Sequence, residues 1–151
     1  IVGGKVAITL SDPFCVDRHR NAFQTLVADH ADILFGNEEE IKSLYQVDDF
    51  ESAMRYVRGQ CEIICLTRGP KGSVILSGDE VQIIDPLPLN VVVDTTGAGD
   101  QFAAGFLFGY TQGMDLRKCG EIATLTATEV ISHVGARPEM SLKELLEREF
   151  G

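Results

Sequence analysis

The sequence is poor in cysteine, in basic side chains and in long apolar runs, and each shortage argues against a class of protein. Four cysteines in 151 residues form no C-x-x-C pair and have no partnering histidine cluster, so neither a zinc site nor a disulfide framework is indicated. Lys and Arg number 13 against 23 Asp and Glu, and the net charge of -10 argues against nucleic acid or an anionic membrane surface as the main partner. No apolar stretch approaches the roughly 20 residues of a membrane span, and no charged-then-apolar leader opens the chain. We therefore expect a cytoplasmic protein with free thiols.

Two common phosphate-binding motifs are also missing. No G-K-[ST] ending of a P-loop occurs, and a glycine pattern counted from Gly97 places Phe102 where the dinucleotide fingerprint needs a small residue. What the sequence does contain is D-T-T-G-A-G-D-Q-F-A-A-G-F-L at residues 94–107. This segment follows the apolar run 91–93, a predicted strand, and its apolar residues then recur at helical spacing. Its glycines are therefore predicted at the start of a helix.

Residues 94–107 combine the two parts that phosphoryl transfer needs. Backbone N–H groups in the first turn of a helix lack partners, and the helix dipole is positive there. Small residues let a phosphate approach these groups closely, and the carboxylate of Asp100 is predicted beside the same anion hole. The alternative is a glycine-rich turn capped by an aspartate, but such a cap needs a single acid, whereas this segment has Asp94 and Asp100. A base next to an anion hole indicates phosphoryl transfer.

The first half of the chain alternates between strand and helix patterns, which predicts an α/β domain with a largely parallel sheet. The predicted strands cover residues 5–10, 31–36 and 63–67 and a hairpin of 73–77 and 81–84; the predicted helices cover 16–30, a segment after Asn37, 49–57, 100–112, 115–132 and 141–150. The loops that follow strands carry Asp12, Asn37, Thr67 and Asp94. One edge of the sheet is therefore predicted to collect the candidate site residues, with Asp12 as a plain turn residue.

Residues 94–107 resemble the C-terminal signature of the PfkB (ribokinase-like) family of carbohydrate and nucleoside kinases. The resemblance implies a ribokinase-like three-layer α/β sandwich with a mostly parallel sheet. Residues 1–151 would form its C-terminal part, without the N-terminal half that carries the lid. In this family the last aspartate of the signature is the catalytic base, which implies that role for Asp100. The preceding small residues form the anion hole, which here are Gly97, Ala98 and Gly99.

Two more segments match motifs of the family. Its N-x-x-E motif corresponds to Asn37 and Glu40 and is associated with the phosphates and the water shell of Mg²⁺, although the helix macrodipole alone can explain acids in a first helical turn. Glu38 and Glu39 are then surface acids. The family's T-x-G-x-x-G nucleotide turn is matched by three residues, although hairpins use glycines as often. These residues are Thr67, Gly69 and Gly72.

The resemblance implies further ligand positions in the last third of the chain. Counted from Asp100, Thr124 falls on a position that flanks the adenine of ATP in relatives, and nearby His133 is predicted as a plain surface histidine. In the ribokinase type, a monovalent cation such as K⁺ lies near the anion hole, although many family members lack this ion. The resemblance implies two roles for Thr96, as a nucleotide-binding residue and as a ligand of the cation. The full set of implied K⁺ ligands is Asp94, Thr96, Ile131 and Ala136.

The resemblance also implies a function. Residues 9–14, 31–38 and 94–106 look most like the adenosine kinase branch, and residues 129–138 look bacterial. This implies an enzyme that uses ATP and Mg²⁺ to phosphorylate adenosine. A PfkB sugar kinase of the ribokinase or fructokinase type is the alternative within the family. A non-catalytic nucleotide-binding domain and a structural module without ligand are alternatives outside it. We expect the chain alone to be inactive or nearly so, because the lid and most substrate contacts of the family lie in the N-terminal half. The oligomeric state stays open.

Overall fold

The computed structural model describes residues 3–151, so that Ile1 and Val2 of the predicted domain lie outside the described residues. The chain divides into two compact units, Ile1–Ile83 and Ile84–Gly151. In the described part of the chain, no helix combines the length and the apolar character that crossing a bilayer requires.

The first unit contains the strands and four helices. Within residues 3–151 the strands form one sheet in the order β1-β2-β3-β4-β5, in which β1, β2 and β3 are parallel and β4 runs antiparallel to β3. The α/β class and the hairpin predicted from the sequence are confirmed, and the sheet is mixed, because parallel pairing is confined to β1, β2 and β3. The elements are β1 (Ala7–Thr9), α1 (Pro13–Arg18), α2 (Arg20–Asp29), β2 (Ile33–Asn37), α3 (Glu38–Tyr45), α4 (Phe50–Val57), β3 (Ile63–Thr67), β4 (Ser73–Ser77) and β5 (Glu80–Ile84), whose last residue begins the second unit.

Apolar side chains of α1–α4 pack against one face of this sheet. Successive side chains of a strand point to opposite faces, so Ile64 and Leu66 of β3 reach the same side. They share a buried cluster with Leu34 of β2 and with residues of all four helices. The sheet register sets Asn37 beside Thr67, so the carboxyl ends of β2 and β3 meet at one edge. This edge carries the candidate residues of the first unit.

The single helix predicted over residues 16–30 is two helices, α1 and α2. The chain leaves the helical region at His19, where φ is -122° and ψ is 28°. Helix α1 also begins earlier than predicted, because Pro13 occupies its first turn and the Asp12 carboxylate accepts a hydrogen bond from the N–H of Cys15 at 2.8 Å. The apolar pattern does not reveal the break, because Val16 before it and Val27 after it are both buried.

The second unit contains the helices α5 (Ala98–Thr111), α6 (Leu116–Ile131) and α7 (Leu142–Phe150). Helices α5 and α6 approach closely at Gly105, where an added Cβ would lie 2.4 Å from the hydroxyl oxygen of Thr126. That hydroxyl lies 2.7 Å from the carbonyl oxygen of Gln101 on α5. Phe102 and Phe106 are buried as their spacing predicts. Small residues therefore allow the backbones of α5 and α6 to pack at short range.

The strand predicted for Val91–Val93 does not form. At least half of each of these side chains is exposed. The only backbone hydrogen bond of this run to another segment, within residues 3–151, goes from the N–H of Val93 to the carbonyl oxygen of Ile131 at 2.9 Å. The β-branched sequence favours extended backbone, but a strand also needs a partner strand, and the described residues provide none here.

Candidate functional site

In the first unit, the N-x-x-E motif forms a reciprocal cap at the start of α3. Asn37 ends β2 and is the N-cap residue, and its side-chain oxygen accepts a hydrogen bond from the N–H of Glu40 at 2.8 Å. The Glu40 carboxylate accepts in return from the Asn37 backbone N–H and from its side-chain amide, both at 2.9 Å. The motif is therefore a capping box with one additional side-chain hydrogen bond.

Glu40 lies buried at this helix start, with 6% of its surface exposed. Burial raises the pKa of its carboxyl group, the hydrogen bond from Asn37 lowers it, and the nearby charge of Asp12 raises it, with a net increase. Each carboxylate oxygen already accepts a hydrogen bond from Asn37 and keeps further lone pairs. These residues fit a hydrated Mg²⁺ held through its water molecules. In the described part of the chain, His, Cys, Asp and Glu side chains form no group of three or more that could hold a metal ion directly.

The predicted nucleotide turn follows β3 beside this cap. Thr67 ends the strand, and a short 3₁₀ turn covers Gly69–Lys71. The N–H of Arg68 donates to the carbonyl oxygen of Gly72 at 2.8 Å and closes the turn. Gly69 and Gly72 have φ values of 55° and 82°, which L-residues with a side chain rarely adopt. The sheet register sets Thr67 beside Asn37, as the sequence predicts for residues at one sheet edge, and the turn with Gly69 and Gly72 follows directly after Thr67.

The prediction that Glu38 is only a surface acid is wrong. Its side chain is 21% exposed, and its carboxylate lies 3.1 Å from Nε of Arg68 and 3.8 Å from Nζ of Lys71. The Arg68 guanidinium also lies over the Phe50 ring, 4.0 Å from its centre. Among residues 3–151, Glu39 pairs with Lys42 of its own helix alone, and it is exposed, as predicted. Sequence reasoning missed the Glu38 contact because it depends on which strands are neighbours in the sheet.

In the second unit, the Asp94 carboxylate organises the start of the signature. One carboxylate oxygen accepts hydrogen bonds from the Thr96 hydroxyl at 2.7 Å and from the Thr96 N–H at 2.9 Å. The other accepts from the N–H of Gly135 at 3.0 Å. The hydroxyl of Thr96, its N–H and the N–H of Gly135 together lower the pKa of Asp94 to about 2. Asp94 therefore joins the signature to the loop after α6 as an ionised group.

The same loop touches Gly97. Gly97 has a φ of 80°, and an added Cβ would lie 2.7 Å from Cβ and 2.8 Å from the carbonyl oxygen of Ala136. Ile131 accepts the hydrogen bond from Val93 at this junction. The structure thus gathers all four residues implied as K⁺ ligands into one region of the second unit. Carboxylate and carbonyl oxygens are donors that hard cations take, and binding of K⁺ by these residues stays a prediction.

The predicted anion hole lies at the N-terminus of α5, where Gly97 is the N-cap. Within residues 3–151, the N–H groups of Gly97 and Gly99 have no hydrogen-bond acceptor, whereas the N–H of Ala98 donates to the carbonyl oxygen of Thr95 at 3.2 Å. Asp100 lies in the first turn with an exposed side chain that makes no hydrogen bond to the described residues. The helix start therefore offers free N–H donors and a free carboxylate on the same turn.

Thr124 and His133 are the two remaining residues that the sequence analysis singles out, and the structure gives the burial and the hydrogen bonds of each. Thr124 is buried in α6, and its hydroxyl oxygen has no hydrogen-bond partner among the described residues. That it flanks adenine stays a prediction. The prediction of a surface histidine at His133 is wrong, because its side chain is only 12% exposed and its Nε2 lies 3.2 Å from Glu129. Burial lowers the pKa of His133, but the hydrogen bond to Glu129 and the carboxylates around it outweigh this and raise it.

Glu129 is a residue that sequence reasoning missed. Its Oε1 also accepts hydrogen bonds from the N–H of Glu139 at 2.9 Å and from that of Met140 at 3.0 Å. The carboxylate thus fastens both ends of the loop that carries Gly135 and Ala136. No local pattern marks this role, since the contacts span ten and more residues.

Known proteins resemble this chain in sequence and structure. Residues 2–143 match the pfkB family carbohydrate kinase. A probable sugar kinase from Rhizobium etli CFN 42 has a TM-score of 0.94 and 46% identity, covering 97% of this chain and 44% of that one. Adenosine kinase from Sinorhizobium meliloti has a TM-score of 0.93 and 41% identity, covering 95% and 44%. The nucleoside kinase of Methanocaldococcus jannaschii, an archaeal member of the ribokinase family, has a TM-score of 0.78 and 26% identity, covering 98% and 50%.

These likenesses confirm the ribokinase-like α/β fold expected from the signature. The chain spans 42%, 37% and 43% of the length of three curated kinases that it matches. Because the family match extends over nearly all of its residues, the chain belongs to the PfkB family of carbohydrate kinases.

Proposed function

We propose that this chain is the C-terminal part of a kinase that transfers the γ-phosphoryl group of ATP to an alcohol. One observation carries the proposal: the exposed carboxylate of Asp100 lies on the same helical turn as the free N–H groups of Gly97 and Gly99. Membership of the PfkB family supports it. A charged base and an anion-binding helix start are the two elements that phosphoryl transfer to a hydroxyl requires.

In this mechanism Asp100 accepts the proton of the acceptor's hydroxyl group. The hydroxyl oxygen bonds to the γ-phosphorus, and the bond between the γ-phosphorus and the leaving ADP oxygen breaks. Such a base contributes about 10²- to 10⁴-fold to the rate. The N–H groups of Gly97 and Gly99 would donate to the oxygens of the transferring phosphoryl group, joined by Ala98 if its bond to Thr95 opens. Because these donors are fixed at a helix start, no reorganisation is needed as charge develops.

The nucleotide and its ions would be held by the remaining predicted residues. Bound Mg²⁺ supplies charge neutralisation at the nucleotide phosphates, and Asn37 and Glu40 would hold its water molecules. We propose nucleotide contacts for the turn of Thr67, Gly69 and Gly72 in the first unit and, independently, for Thr96 and Thr124 in the second. Where the protein uses K⁺, the ion would be bound by Asp94, Thr96, Ile131 and Ala136.

Adenosine is the acceptor that we propose first. The Sinorhizobium meliloti relative, at 41% identity, is named an adenosine kinase, which favours a nucleoside. The Rhizobium etli relative, at 46% identity, is named a probable sugar kinase, so a sugar hydroxymethyl group is the alternative. Both acceptors present a primary alcohol, and the proposed role of Asp100 is the same for both.

The test is ADP release by the full-length protein with Mg-ATP and a panel of adenosine, other nucleosides, ribose and fructose. We expect turnover with adenosine. Turnover with a free sugar alone would replace the acceptor and keep the mechanism. No turnover with any acceptor, combined with measurable Mg-ATP binding, would contradict the kinase proposal and favour a binding domain. No binding of Mg-ATP would leave only a structural role.

The Asp100→Asn variant tests the assigned base. It keeps the size of the side chain but cannot accept the proton at neutral pH, so kcat should fall by about 10²- to 10⁴-fold while Mg-ATP binding persists. Glu144→Gln is the matched control, because Glu144 is likewise an exposed acid in the first turn of a helix of the second unit. Wild-type turnover in Asp100→Asn would show that another group is the base.

A further inference from the structure

Two segments of the first unit that we assign to nucleotide binding are joined by one ion pair. Glu38 follows Asn37 as the first residue of α3, and Arg68 follows Thr67 at the end of β3. Oε2 of Glu38 accepts a hydrogen bond from Nε of Arg68 at 3.1 Å. Because Asn37 and Thr67 are partners in the sheet register, the pair links neighbouring strand ends directly.

Two contacts fix the position of the Arg68 side chain, one with the Glu38 carboxylate and one with the Phe50 ring. Its side chain is 22% exposed, and the guanidinium lies 4.0 Å from the centre of the ring of Phe50, which is itself buried. The backbone N–H of Arg68 closes the turn on the carbonyl oxygen of Gly72. A half-buried, hydrogen-bonded guanidinium of this kind is held more firmly than an exposed lysine, because its planar group is oriented by both contacts.

Glu38 is the side chain on which the turn depends. In the described part of the chain, the turn of residues 68–72 makes no side-chain hydrogen bond or ion pair except those of Arg68 and Lys71, and both reach Glu38. Backbone hydrogen bonds within residues 68–72 set the shape of the turn, but they do not connect it to α3, and Glu38 supplies that connection. Without Glu38 the guanidinium would be half-buried and unpaired, and the turn would lose its tether to α3.

We propose that Glu38 is a positioning residue for the nucleotide. Through Arg68 it holds the T-x-G-x-x-G turn against the Asn37–Glu40 cap, so that the two segments bind a nucleoside triphosphate and its hydrated Mg²⁺ as one preformed surface. The inference rests on the proposed function. Preforming the surface lowers the ordering cost of binding, and this cost returns when the tether is removed. Glu38 itself need not touch the nucleotide.

The test compares Glu38→Gln with Glu39→Gln in the full-length protein. Glu39 is adjacent in sequence and lies in the same helical turn, but its one ion pair with the described residues is with Lys42 of its own helix. For Glu38→Gln we expect KM for Mg-ATP to rise about tenfold, equivalent to about 1.4 kcal/mol, with kcat and the acceptor KM nearly unchanged. For Glu39→Gln all three constants should stay at the wild-type values. A general loss of folding would instead lower activity without this selective effect on the nucleotide.

Binding of Mg-ATP, measured by calorimetry, gives a readout besides turnover and separates the two proposals. If wild-type protein binds Mg-ATP and Glu38→Gln binds it equally well, the positioning role is overturned and the kinase proposal stands. If Glu39→Gln weakens binding as much as Glu38→Gln, the effect is a general one of the acidic helix start, and the role is likewise overturned. If wild-type protein does not bind Mg-ATP, both proposals fail.

A double-mutant cycle with Arg68→Gln tests whether Glu38 acts through Arg68. The double variant leaves no half-buried charge unpaired, since the remaining partner of Glu38, Lys71, has a side chain that is 63% exposed. Its loss of Mg-ATP affinity should therefore be clearly smaller than the sum of the single losses. Additive losses would contradict the coupling. Should Glu38→Gln fail to fold, the double variant supplies the comparison, since wild-type affinity in that variant would overturn the proposal and a loss confined to the nucleotide would support it.

Discussion

Gly97 combines a left-handed backbone conformation with close packing against Ala136. Its φ of 80° is costly for any residue with a side chain, and its α-carbon faces Ala136 with no space for a Cβ. The Asp94 carboxylate holds the same loop through the N–H of Gly135. A side chain at position 97 would therefore strain the backbone, displace the loop and disturb the anion hole that we propose.

For Gly97→Ala we expect a loss of stability larger than the backbone cost alone. Gly113→Ala is the matched control, because Gly113 has a φ of 73° with open space around its α-carbon. The control should cost about 1–2 kcal/mol from the left-handed conformation. Gly97→Ala should cost more than this, and in the full-length protein it should also reduce turnover. Urea unfolding measures the loss of stability in both variants. Equal losses in Gly97→Ala and Gly113→Ala would show that the residues around Ala136 move aside without strain.

The lowered pKa of Asp94 in the folded protein predicts that the free energy of unfolding depends on pH. Its folded pKa of about 2 lies below the ordinary value of 3.8, because Thr96 and Gly135 donate hydrogen bonds to the ionised form. The stabilisation is therefore complete above the ordinary value and is lost as the pH falls toward about 2. The difference in free energy of unfolding between wild type and Asp94→Asn should shrink across this interval. A difference that stays constant with pH would contradict the assigned hydrogen bonds.

At the scale of secondary-structure elements, the pairing of α5 with α6 depends on small residues. An added Cβ at Gly105 would lie 2.4 Å from the Thr126 hydroxyl and 2.9 Å from Cα of Ala123. Gly109 has a similar approach to Cys119, where an added Cβ would lie 3.0 Å from the sulfur. The backbone of one helix thus packs directly on the other, which leaves little room for adjustment.

We expect Gly105→Ala to destabilise the protein although alanine favours helix. Overpacking of a close helix contact costs about 1–3 kcal/mol, more than the gain in helix propensity of up to about 1 kcal/mol. Gly99 in the same helix has open space around its α-carbon, so Gly99→Ala should be neutral or stabilising in the same unfolding assay. Equal stability of the two variants would show that α5 and α6 can separate at little cost.

The elements that the sequence predicts correctly are those with a local cause. The strand of residues 63–67 and the hairpin follow from short apolar runs and turn residues. The break at His19 leaves no trace in the apolar pattern, and the missing strand at Val91–Val93 reflects the lack of a partner strand among the described residues, which a local pattern does not reveal. The same holds for the pair of Glu38 with Arg68, whose proximity is set by the order of the strands in the sheet. It also holds for the hydrogen bonds that Glu129 accepts from the N–H groups of Glu139 and Met140.

At the scale of the whole molecule, the chain covers 44% of the length of each of two solved relatives. The family signature identifies candidate groups for phosphoryl transfer, but the acceptor contacts of this family lie in the N-terminal half by resemblance. The identity of the acceptor is therefore a property that only the full-length protein can express. The residues that we propose for nucleotide binding, in contrast, lie in the described chain.

We expect residues 1–151 alone to release no ADP from Mg-ATP in the presence of adenosine, under conditions in which the full-length protein does so. The physical reason is that Asp100 and the anion hole would have no hydroxyl positioned for in-line attack. Coupled ADP detection at matched concentrations makes the comparison. Turnover by the short chain, lost in its own Asp100→Asn variant, would show that it contains the acceptor site.

Strand β1 has a practical consequence for work on this chain. Among the described residues it pairs only with β2, and its other edge presents unpaired backbone groups next to the exposed side chain of Val6. An open strand edge is a template for strands of other molecules. Samples of the isolated chain should therefore scatter light increasingly with concentration and time, and a soluble preparation will require either a partner segment along β1 or a charged substitution on that edge.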